Sequence, residues 1–283
     1  MDMTVSQLKR NITAGLTPVV GQGEASAMCR EIIRFLLGYS PAKAVIVGDR
    51  PVEPLSVQAA GDIVARVKDG EPLQYILGTA PFMGMELKVT PAVLIPRPET
   101  AELVDIIGDK WSGRQGLRVL DIGSGSGCIA IALSRLLPFS AVTGLDVSAA
   151  ALDVARENGS DLGAKITWEQ GDILTLKPQP DSYDIIVSNP PYIAEHERQT
   201  METRVYEHEP TGALFVPDSD PLKFYRSIAS YAATALSPDG ALYLEINPLY
   251  VEGLRDLLTK AGFSDTDILR DFRGNYRFAV CRR

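Results

Sequence analysis

Hydrophobic residues recur at helical spacing along the N-terminal part of the chain. Over Ala25–Leu37 they fall on one face of a predicted helix, and Ser56–Val67 repeats the pattern. A further helix is predicted over Gln7–Leu16, with Ser6 as its N-cap. Proline interrupts helices, and the intervals between these stretches contain Pro18, Pro41, Pro51 and Pro54. Residues 1–77 are therefore predicted to form a small helical N-terminal domain.

Residues 78–97 follow a different pattern, which predicts a hairpin and then a linker. In Pro81–Lys88, Gly84 separates two short apolar arms, as it would in a tight hairpin. The stretch Thr90–Thr100 contains several prolines and is predicted to be extended, because proline disfavours helix at its own position and at the residue before it. We therefore assign residues 78–97 to the connection between two domains.

Strand-like and helix-like stretches alternate from about residue 98 to the end of the chain. The predicted strands are Arg118–Ile122, Ala141–Asp146, Ile166–Gln170, Tyr183–Ser188, Ala241–Ile246 and Arg277–Cys281. The predicted helices are Cys128–Leu137, Ala149–Asp161, Pro221–Leu236 and Val251–Ala261. Such alternation predicts an α/β fold for residues 98–283, with a Rossmann-like parallel sheet covered by helices on both faces. Ligands of such sheets bind beyond the carboxyl ends of the strands.

Charge and composition narrow the classes of partner. The net charge is −8 at pH 7, which disfavours stable binding of nucleic acid, because such binding needs Lys and Arg against phosphate. No apolar run is long enough to span a membrane, and the N-terminus has no signal-peptide pattern, so we expect a cytoplasmic protein without a membrane partner. The cysteines and histidines are scattered, so no metal site is expected. A monomer is the default expectation.

A glycine-rich loop follows the first of these strands and opens a helix. It contains Gly123, Ser124, Gly125, Ser126 and Gly127. Glycine permits a tight turn and close approach of a ligand to the backbone. The spacing G-x-G-x-G, with Asp121 directly before the turn, favours S-adenosyl-L-methionine over a dinucleotide, because a carboxylate would crowd a pyrophosphate but suits an amino-acid ammonium group.

Two further aspartates end the next two strands. Asp146 is placed to accept hydrogen bonds from the ribose hydroxyls of a cofactor, although this feature is shared with NAD sites. Asp172 is placed to accept from an adenine amino group, with Ile173 packed beside the ring. Each aspartate alone could be a helix N-cap. Their order on consecutive strand ends, after the glycine loop, predicts a binding site for S-adenosyl-L-methionine, with S-adenosyl-L-homocysteine as product.

The fourth strand ends in the segment Asn189-Pro190-Pro191-Tyr192. The Asn189 side chain provides one acceptor, and a stiff Asn-Pro-Pro backbone offers the Pro190 carbonyl as another. Two fixed acceptors match a planar –NH₂ group, and Tyr192 is predicted to form a flat wall beside it. An amide nitrogen is a poor nucleophile until both N–H groups are bound, so this segment predicts methyl transfer to an amide or to an exocyclic amine.

With these motifs the chain resembles the protein-(glutamine-N5) methyltransferases that modify class I peptide chain release factors. The matching segments are Gln74–Gly78, Leu94–Thr100, Asp121–Gly127, Asn189–Tyr192, Glu209–Pro210 and Asp271–Arg277. The resemblance implies an S-adenosyl-L-methionine-dependent enzyme whose target is the glutamine of the Gly-Gly-Gln loop of release factors. It also implies that residues 189–192 bind the amide, and that the glycine loop, Asp146, Asp172–Ile173 and Asn189 contact the cofactor.

The resemblance leaves several points open. Arg97 and Glu99 are predicted to order the pocket or to form a structural ion pair. The family usually has Gly where this chain has Asn247, and we expect a local change only, because Asn replaces Gly readily in turns. The N-terminal domain is either a docking module for the release factor or a structural cover.

Other activities are compatible with the same motifs. An N6-adenine methyltransferase of DNA or RNA needs the same acceptors and flat wall after base flipping. A related glutamine methyltransferase acts on a ribosomal protein, but it tends to lack the Arg-Pro-Glu-Thr form found at Arg97–Thr100. A non-catalytic cofactor-binding protein and a dehydrogenase rank below these alternatives, since they leave the Asn189–Tyr192 segment and the glycine spacing unexplained.

Overall fold

A computed structural model describes residues 3–200 and 207–283. These residues fall into two compact units. The first ends at Gly78 and also contains His208, and the second begins at Thr79. Within the described residues, no helix has both the length and the apolar character needed to cross a membrane.

A long helix, α1 (Val5–Leu37), begins the N-terminal unit. Its N-cap is Thr4 rather than the predicted Ser6, because the Thr4 side chain accepts from the Gln7 amide and the Gln7 side chain accepts in return from the Thr4 amide. Pro18 lies inside this helix and does not end it. The kink lies instead at Gly21, whose φ of 79° is non-helical, so the two predicted helices are separated there.

Three shorter helices complete the unit: α2 (Pro41–Ile46), α3 (Pro54–Lys68) and α4 (Leu73–Leu77). Pro41 and Pro54 open helices rather than break them, since the first helical position needs no N–H donor. The four helices enclose an apolar core in which Leu16 and Ile32 are fully buried.

The second unit starts with the predicted hairpin, formed by β1 (Thr79–Phe82) and β2 (Met85–Lys88). The segment that the sequence predicted as a linker therefore belongs to this unit from Thr79 onward. The predicted extended stretch also ends early, because α5 (Pro98–Trp111) begins at Pro98. Proline is tolerated in the first helical turn, so the three prolines did not exclude a helix at the end of the stretch.

The central sheet has seven strands in the described part of the chain, and four of them have the bounds predicted from the sequence. The strands are β3 (Arg118–Ile122), β4 (Ala141–Asp146), β5 (Ile166–Gln170), β6 (Tyr183–Ser188), β9 (Leu236–Glu245), β10 (Asp265–Arg270) and β11 (Tyr276–Arg282). Their order is β10-β11-β9-β6-β3-β4-β5. The five strands from β9 to β5 are parallel, whereas β11 is antiparallel to β9 and β10, and β10 was not predicted.

The rest of the second unit consists of helices, two short strands and two 3₁₀ turns. The remaining helices are α6 (Cys128–Leu136), α7 (Ala149–Asp161), α8 (Thr211–Leu214), α9 (Lys223–Ala235) and α10 (Val251–Lys260). Short strands β7 (Ile193–Ala194) and β8 (Phe215–Val216) pair in parallel, and 3₁₀ turns lie at Glu195–Thr200 and Pro248–Tyr250.

Two apolar clusters fill the space between sheet and helices. Val119 belongs to the cluster that contains the buried side chains of α5 and α6, and Leu120 belongs to the cluster that contains those of α9 and α10. Neighbouring residues of a strand point to opposite faces, so the two clusters lie on opposite faces of the sheet. This confirms the predicted α/β architecture with helices on both faces.

Candidate active site

A cavity of about 370 Å³ lies at the carboxyl ends of the parallel strands. This volume is in the range of small-molecule sites. Its wall combines the glycine loop, the ends of β4, β5 and β6, and residues from α5 and α9. The strands β3 and β6 are hydrogen-bonded neighbours, so the glycine loop and the Asn189–Tyr192 segment leave the sheet side by side. The two motifs that the sequence connected with cofactor and substrate therefore adjoin in space.

The glycine loop turns between β3 and α6 through three left-handed residues. Gly123, Gly125 and Gly127 have φ values of 76°, 54° and 81°, which side chains rarely adopt. The Gly123 and Ser124 amides both donate to the Leu145 carbonyl, at 2.8 and 3.0 Å, so the loop is tied to the end of β4. All the predicted loop residues between Gly123 and Ser126 line the cavity, and Gly127 is the N-cap of α6.

Two glycines leave space for the ring of Trp168 beneath this loop. A Cβ at Gly127 would lie 2.8 Å from the indole, and a Cβ at Gly144 would overlap the indole and lie 2.8 Å from Ser124 Oγ. Both distances are shorter than real contacts allow. A side chain at either position would therefore displace the indole or the backbone beside it.

Asp121 lies below the loop and is fully buried, so it is not part of the cavity wall. Its Oδ2 accepts the Ala130 amide of α6 at 3.2 Å, whereas its Oδ1 has no hydrogen-bond partner among the described residues. Burial raises the pKa of the Asp121 carboxyl to about 7. A carboxylate with one unused acceptor in a buried position would be stabilised by an ammonium group or a water molecule.

Asp146 lies on the cavity wall at the end of β4. Its Oδ2 accepts the Gly125 amide and its Oδ1 accepts the Ser148 amide, both at 2.9 Å. A carboxylate offers about four acceptor positions, so two remain for a ligand. These two bonds fix the side chain next to the glycine loop, where ribose hydroxyls were predicted to bind.

Asp172 and Ile173 also line the cavity, after the end of β5. The Oδ1 of Asp172 accepts the Leu174 amide at 2.9 Å, which holds the carboxylate in a tight turn. Ile173 is partly buried against the apolar cluster of α9 and α10. The pair thus presents a polar and an apolar group to the same end of the cavity, as an adenine ring requires.

Asn189 lines the cavity at the end of β6, followed by Pro190 and Pro191. Its Nδ2 donates to Thr100 Oγ1 at 3.1 Å, so the side-chain oxygen Oδ1 is left as the acceptor. Thr100 Oγ1 in turn donates to Glu245 Oε2 at 2.7 Å. The sequence did not single out Thr100 or Glu245. The available signals were the place of Thr100 in the Leu94–Thr100 segment and a carboxylate, Glu245, in the otherwise apolar run Ala241–Ile246.

Tyr192 was predicted to form a flat wall beside the substrate amide, and this role stays a prediction. The cavity wall includes Asn189, Pro190 and Pro191 but not Tyr192. The Tyr192 hydroxyl donates to Glu245 Oε1 at 3.0 Å, and burial raises the pKa of this hydroxyl. Tyr192 therefore anchors the end of the segment to the protein interior, because the hydroxyl of a buried tyrosine needs a hydrogen-bond partner.

Burial also raises the pKa of the Glu245 carboxyl, while hydrogen bonds from Thr100 and Tyr192 and the positive charge of Arg277 act in the opposite direction. Arg277 lies between Tyr192 and Asp271, with distances of 3.4 Å to the Tyr192 hydroxyl and to Asp271 Oδ2. Glu245, Arg277 and Asp271 thus form a chain of polar contacts behind Tyr192, the last residue of the Asn189–Tyr192 segment.

Asn247, the departure from the family pattern, contacts the same segment. Its Nδ2 donates to the Tyr192 carbonyl at 3.0 Å and to Glu197 Oε1 at 2.9 Å, and its Oδ1 accepts the Leu249 amide. Its φ of −80° does not require glycine. Asn247 thus connects the turn after β9 to the Asn189–Tyr192 segment, and the expectation of a local change stays a prediction.

Of the two residues predicted to order the pocket, Arg97 lines the cavity and Glu99 does not. Arg97 forms an ion pair with Glu209 at 2.5 Å, and the Glu209 side chain is 1% exposed. Glu209 also accepts the Ile95 amide at 3.2 Å. Glu99 lies in the first turn of α5, 3.9 Å from Arg273. The structure thus assigns Arg97 a buried partner that its sequence neighbours did not indicate.

In the described ranges, no group of three or more His, Cys, Asp and Glu side chains is arranged to hold a metal ion. Cys29, Cys128 and Cys281 are buried and unpaired. Burial raises the pKa of Cys128 and of Cys281 to about 12, which disfavours a reactive thiolate.

Two family models match this chain. A methyltransferase domain matches residues 119–208, and the PrmC N-terminal domain matches residues 16–78. The first match covers the glycine loop, Asp146, Asp172 and the Asn189–Tyr192 segment.

Solved structures share the fold at low sequence identity. A methyltransferase from Pyrococcus furiosus has a TM-score of 0.53 at 18% identity, over 78% of this chain and 97% of that chain. The hMettl16 catalytic domain, solved in complex with the MAT2A 3′UTR hairpin 6, has a TM-score of 0.57 at 16% identity, over 81% of this chain and 82% of that chain. At these identities the likeness shows the fold alone.

Curated relatives match nearly the whole chain. The release factor glutamine methyltransferase of Bacteroides thetaiotaomicron is 39% identical over 99% of this chain and 100% of its own length. The protein of the same name from Streptococcus pneumoniae is 46% identical over 86% of this chain and 85% of its own length. This chain therefore belongs to the release factor glutamine methyltransferase family.

Proposed function

We propose that this enzyme transfers a methyl group from S-adenosyl-L-methionine to the side-chain amide nitrogen of the glutamine in the Gly-Gly-Gln loop of class I release factors. The observation that carries the proposal is the cavity wall that joins the glycine loop to Asn189, Pro190 and Pro191. The names of the curated relatives supply the substrate class. Release factors act at ribosomes, so the proposal includes a cytoplasmic location.

The residues of the cavity fit S-adenosyl-L-methionine. Gly123 and Gly125 allow the amino-acid part of the cofactor to approach the backbone, whereas Asp121 lies outside the cavity wall. Asp146 would accept from the ribose, and Asp172 with Ile173 would bind the adenine. When bound, this cofactor supplies a methyl group already activated on a sulfonium.

The protein then has to bind and orient the amide. The Asn189 Oδ1 accepts one N–H of the substrate –NH₂ group, and the neighbouring Pro190 carbonyl is the proposed acceptor of the other. Binding both hydrogens increases the electron density on the nitrogen and directs its lone pair. This contribution is positioning and electrostatic stabilisation rather than acid or base catalysis.

No strong base is required, because an amide protonated on nitrogen is strongly acidic and loses its proton readily to water. The described cavity wall accordingly contains no His and no Lys, and its one Cys, Cys128, has a raised pKa. A loop flanked by glycines suits such a site, since it carries little bulk beside the glutamine. Docking of the release factor on the N-terminal unit remains a prediction. The monomeric state also remains a prediction.

Transfer of labelled methyl from S-adenosyl-L-methionine to a purified release factor tests the proposal. Label should enter the wild-type factor and not a variant whose Gly-Gly-Gln glutamine is changed to alanine. Asn189→Ala should reduce kcat about 100- to 1000-fold, because one acceptor for the transition state is lost. The matched control is Asn11→Ala, which changes an exposed asparagine in the N-terminal unit.

The rival substrates give different outcomes in the same assay. If label enters DNA or RNA, and binding is tight and salt-sensitive, the methylated group is an adenine amine and not a glutamine amide. Label in a ribosomal protein would keep the amide chemistry and change the partner. Either result would overturn the proposed substrate.

A further inference from the structure

Asn189 can act as an acceptor in only one of its two side-chain orientations. An Asn amide has nearly the same shape after a 180° flip, which exchanges the oxygen and the –NH₂ group. In the flipped state the cavity would present two N–H donors to a substrate that is itself a donor. An additional group must therefore select the productive orientation.

Thr100 makes this selection through the direction of its hydrogen bonds. Its hydroxyl has one proton, which it donates to Glu245 Oε2 at 2.7 Å. Because this proton is used in the bond to Glu245, the Thr100 oxygen can only accept from a further group. The group that lies 3.1 Å from this oxygen is the Asn189 Nδ2, which donates. The amide is thereby held with Oδ1 as its unused acceptor.

Burial makes the selection costly to undo. Thr100 is 3% and Glu245 is 2% exposed, so water cannot easily replace a lost partner. The other oxygen of Glu245 accepts the Tyr192 hydroxyl at 3.0 Å. One buried carboxylate thus contacts Tyr192 directly and Asn189 through Thr100, at the last and first residues of the Asn189–Tyr192 segment.

We propose that Thr100 and Glu245 are positioning residues of the methyl transfer, which fix the Asn189 amide in the orientation that accepts a hydrogen bond from the substrate nitrogen. This inference rests on the proposed function for its effect on catalysis. The Asn189–Thr100–Glu245 arrangement itself is independent of which amine or amide the enzyme methylates.

The first experiment compares Thr100→Val with Thr100→Ser. Valine keeps the shape of threonine and removes the hydroxyl, whereas serine keeps the hydroxyl. We expect Thr100→Val to lower kcat about 10- to 100-fold with KM changed less than about threefold, because misplacement of one catalytic acceptor has effects of this size. Thr100→Ser should recover most of the rate. A Thr100→Val enzyme with a kcat near wild type, or a Thr100→Ser enzyme as slow as Thr100→Val, would overturn the proposal.

The second experiment measures coupling to Asn189. If Thr100 acts through this amide, Thr100→Val should have almost no further effect on kcat in an Asn189→Ala background. An equal loss in both backgrounds would show that Thr100 acts by another route and would overturn the proposal. Glu245→Gln provides a second variant if Thr100→Val does not fold, with a kcat loss that should also disappear in the Asn189→Ala background.

A readout without substrate separates this inference from the proposed function. The side-chain amide protons of Asn189 can be assigned in ¹⁵N-labelled protein by their loss in Asn189→Ala. They should shift and exchange faster in Thr100→Val and return toward wild type in Thr100→Ser. Unchanged signals in Thr100→Val would overturn the selection by Thr100. If the variants show these shifts but the wild-type enzyme labels no release factor, the positioning is supported and the proposed substrate is overturned.

Discussion

The two units of this protein differ in what they bury. In the described part of the N-terminal unit, the buried residues are apolar, with Leu16, Ile32 and Val67 almost inaccessible to water. The catalytic unit has its own apolar clusters but also buries polar and charged side chains. These are Thr100, Asp121, Ser124, Ser126, Asn158, Ser188, Glu209, Glu245, Asn247 and Asp271.

This difference indicates that the buried residues of the N-terminal unit contribute to stability alone, whereas the buried polar residues of the catalytic unit also contribute to catalysis. A buried polar group costs free energy unless it is hydrogen-bonded, so an apolar core is the simpler way to stabilise a fold. Most of the buried polar residues of the catalytic unit surround the glycine loop or back the Asn189–Tyr192 segment. Their hydrogen bonds orient the groups that line the cavity. We therefore expect core substitutions in the N-terminal unit to change stability alone, and polar substitutions in the catalytic unit to change stability and rate together.

The largest effect on stability is expected for Leu16→Ala. Leu16 is fully buried in the N-terminal unit, and removing its side chain should lower the free energy of unfolding by about 3–4 kcal/mol. The kcat per folded molecule should stay at the wild-type value. Leu55→Ala, at a side chain that is 78% exposed, is the matched control and should change stability by less than about 0.5 kcal/mol. A large fall in kcat for folded Leu16→Ala would contradict the separation of roles.

Glu209→Gln should have the next largest effect. It leaves Arg97 without its charged partner in a pair whose acidic side chain is 1% exposed. We expect a loss of about 3 kcal/mol, at the lower end for broken buried ion pairs, because Arg97 is itself 33% exposed. Methyl transfer should also slow, since Arg97 lines the cavity. Denaturant unfolding would measure the loss of stability, and steady-state kinetics on the same sample would measure the rate. An unchanged rate would show that the Arg97–Glu209 pair does not contribute to methyl transfer.

Asn247→Gly, which restores the usual family residue, should have a smaller effect. It removes the hydrogen bonds to the Tyr192 carbonyl and to Glu197, and it should cost about 1–2 kcal/mol of stability. We expect kcat to fall a few-fold, because the Asn189–Tyr192 segment loses one of its supports. Asn247→Ala separates the lost hydrogen bonds from the flexibility of glycine. Full activity in both variants would mean that the other contacts of Tyr192 suffice.

The smallest effect is expected for Glu71→Gln, the N-terminal counterpart of Glu209→Gln. Glu71 pairs with Arg66 at 2.5 Å, but the Arg66 side chain is 50% exposed, so the loss should stay below about 1 kcal/mol. The hydrogen bond from Arg66 lowers the pKa of Glu71. A lowered carboxyl pKa stabilises the fold above the unfolded-state value, and this stabilisation is lost as the pH falls through the lowered value. The difference between wild type and Glu71→Gln should therefore disappear in acid and leave kcat unchanged.

Much of the fold could be predicted because its signals are local. The strands β3 to β6 are short apolar runs bounded by turn residues, and their observed bounds equal the predicted ones. Strand β10 was missed because it is half-exposed and carries two aspartates and an arginine, which give it no apolar run. The whole of α5 was missed, and the proline at its first helical position looks like a helix breaker in sequence.

The candidate site was predictable where its residues lie in one segment or, as Asp146 and Asp172 do, at the ends of predicted strands. The glycine loop and Asn189–Pro191 were found because each motif is continuous in sequence. Thr100 and Glu245 lie 145 residues apart and meet only after the sheet has formed, so no local pattern connects them. The contact between Tyr192 and Glu245 was not predicted for the same reason, because Glu245 lies on another strand.

The packing of Trp168 under the glycine loop has a consequence for how this family can change over generations. Because a Cβ at Gly144 would overlap the indole, Gly144 cannot be exchanged while Trp168 is retained. A larger residue at position 144 becomes acceptable only after, or together with, a smaller residue at position 168. The two positions should therefore vary as a pair among descendants of a common ancestor, and single exchanges at Gly144 should be eliminated by selection.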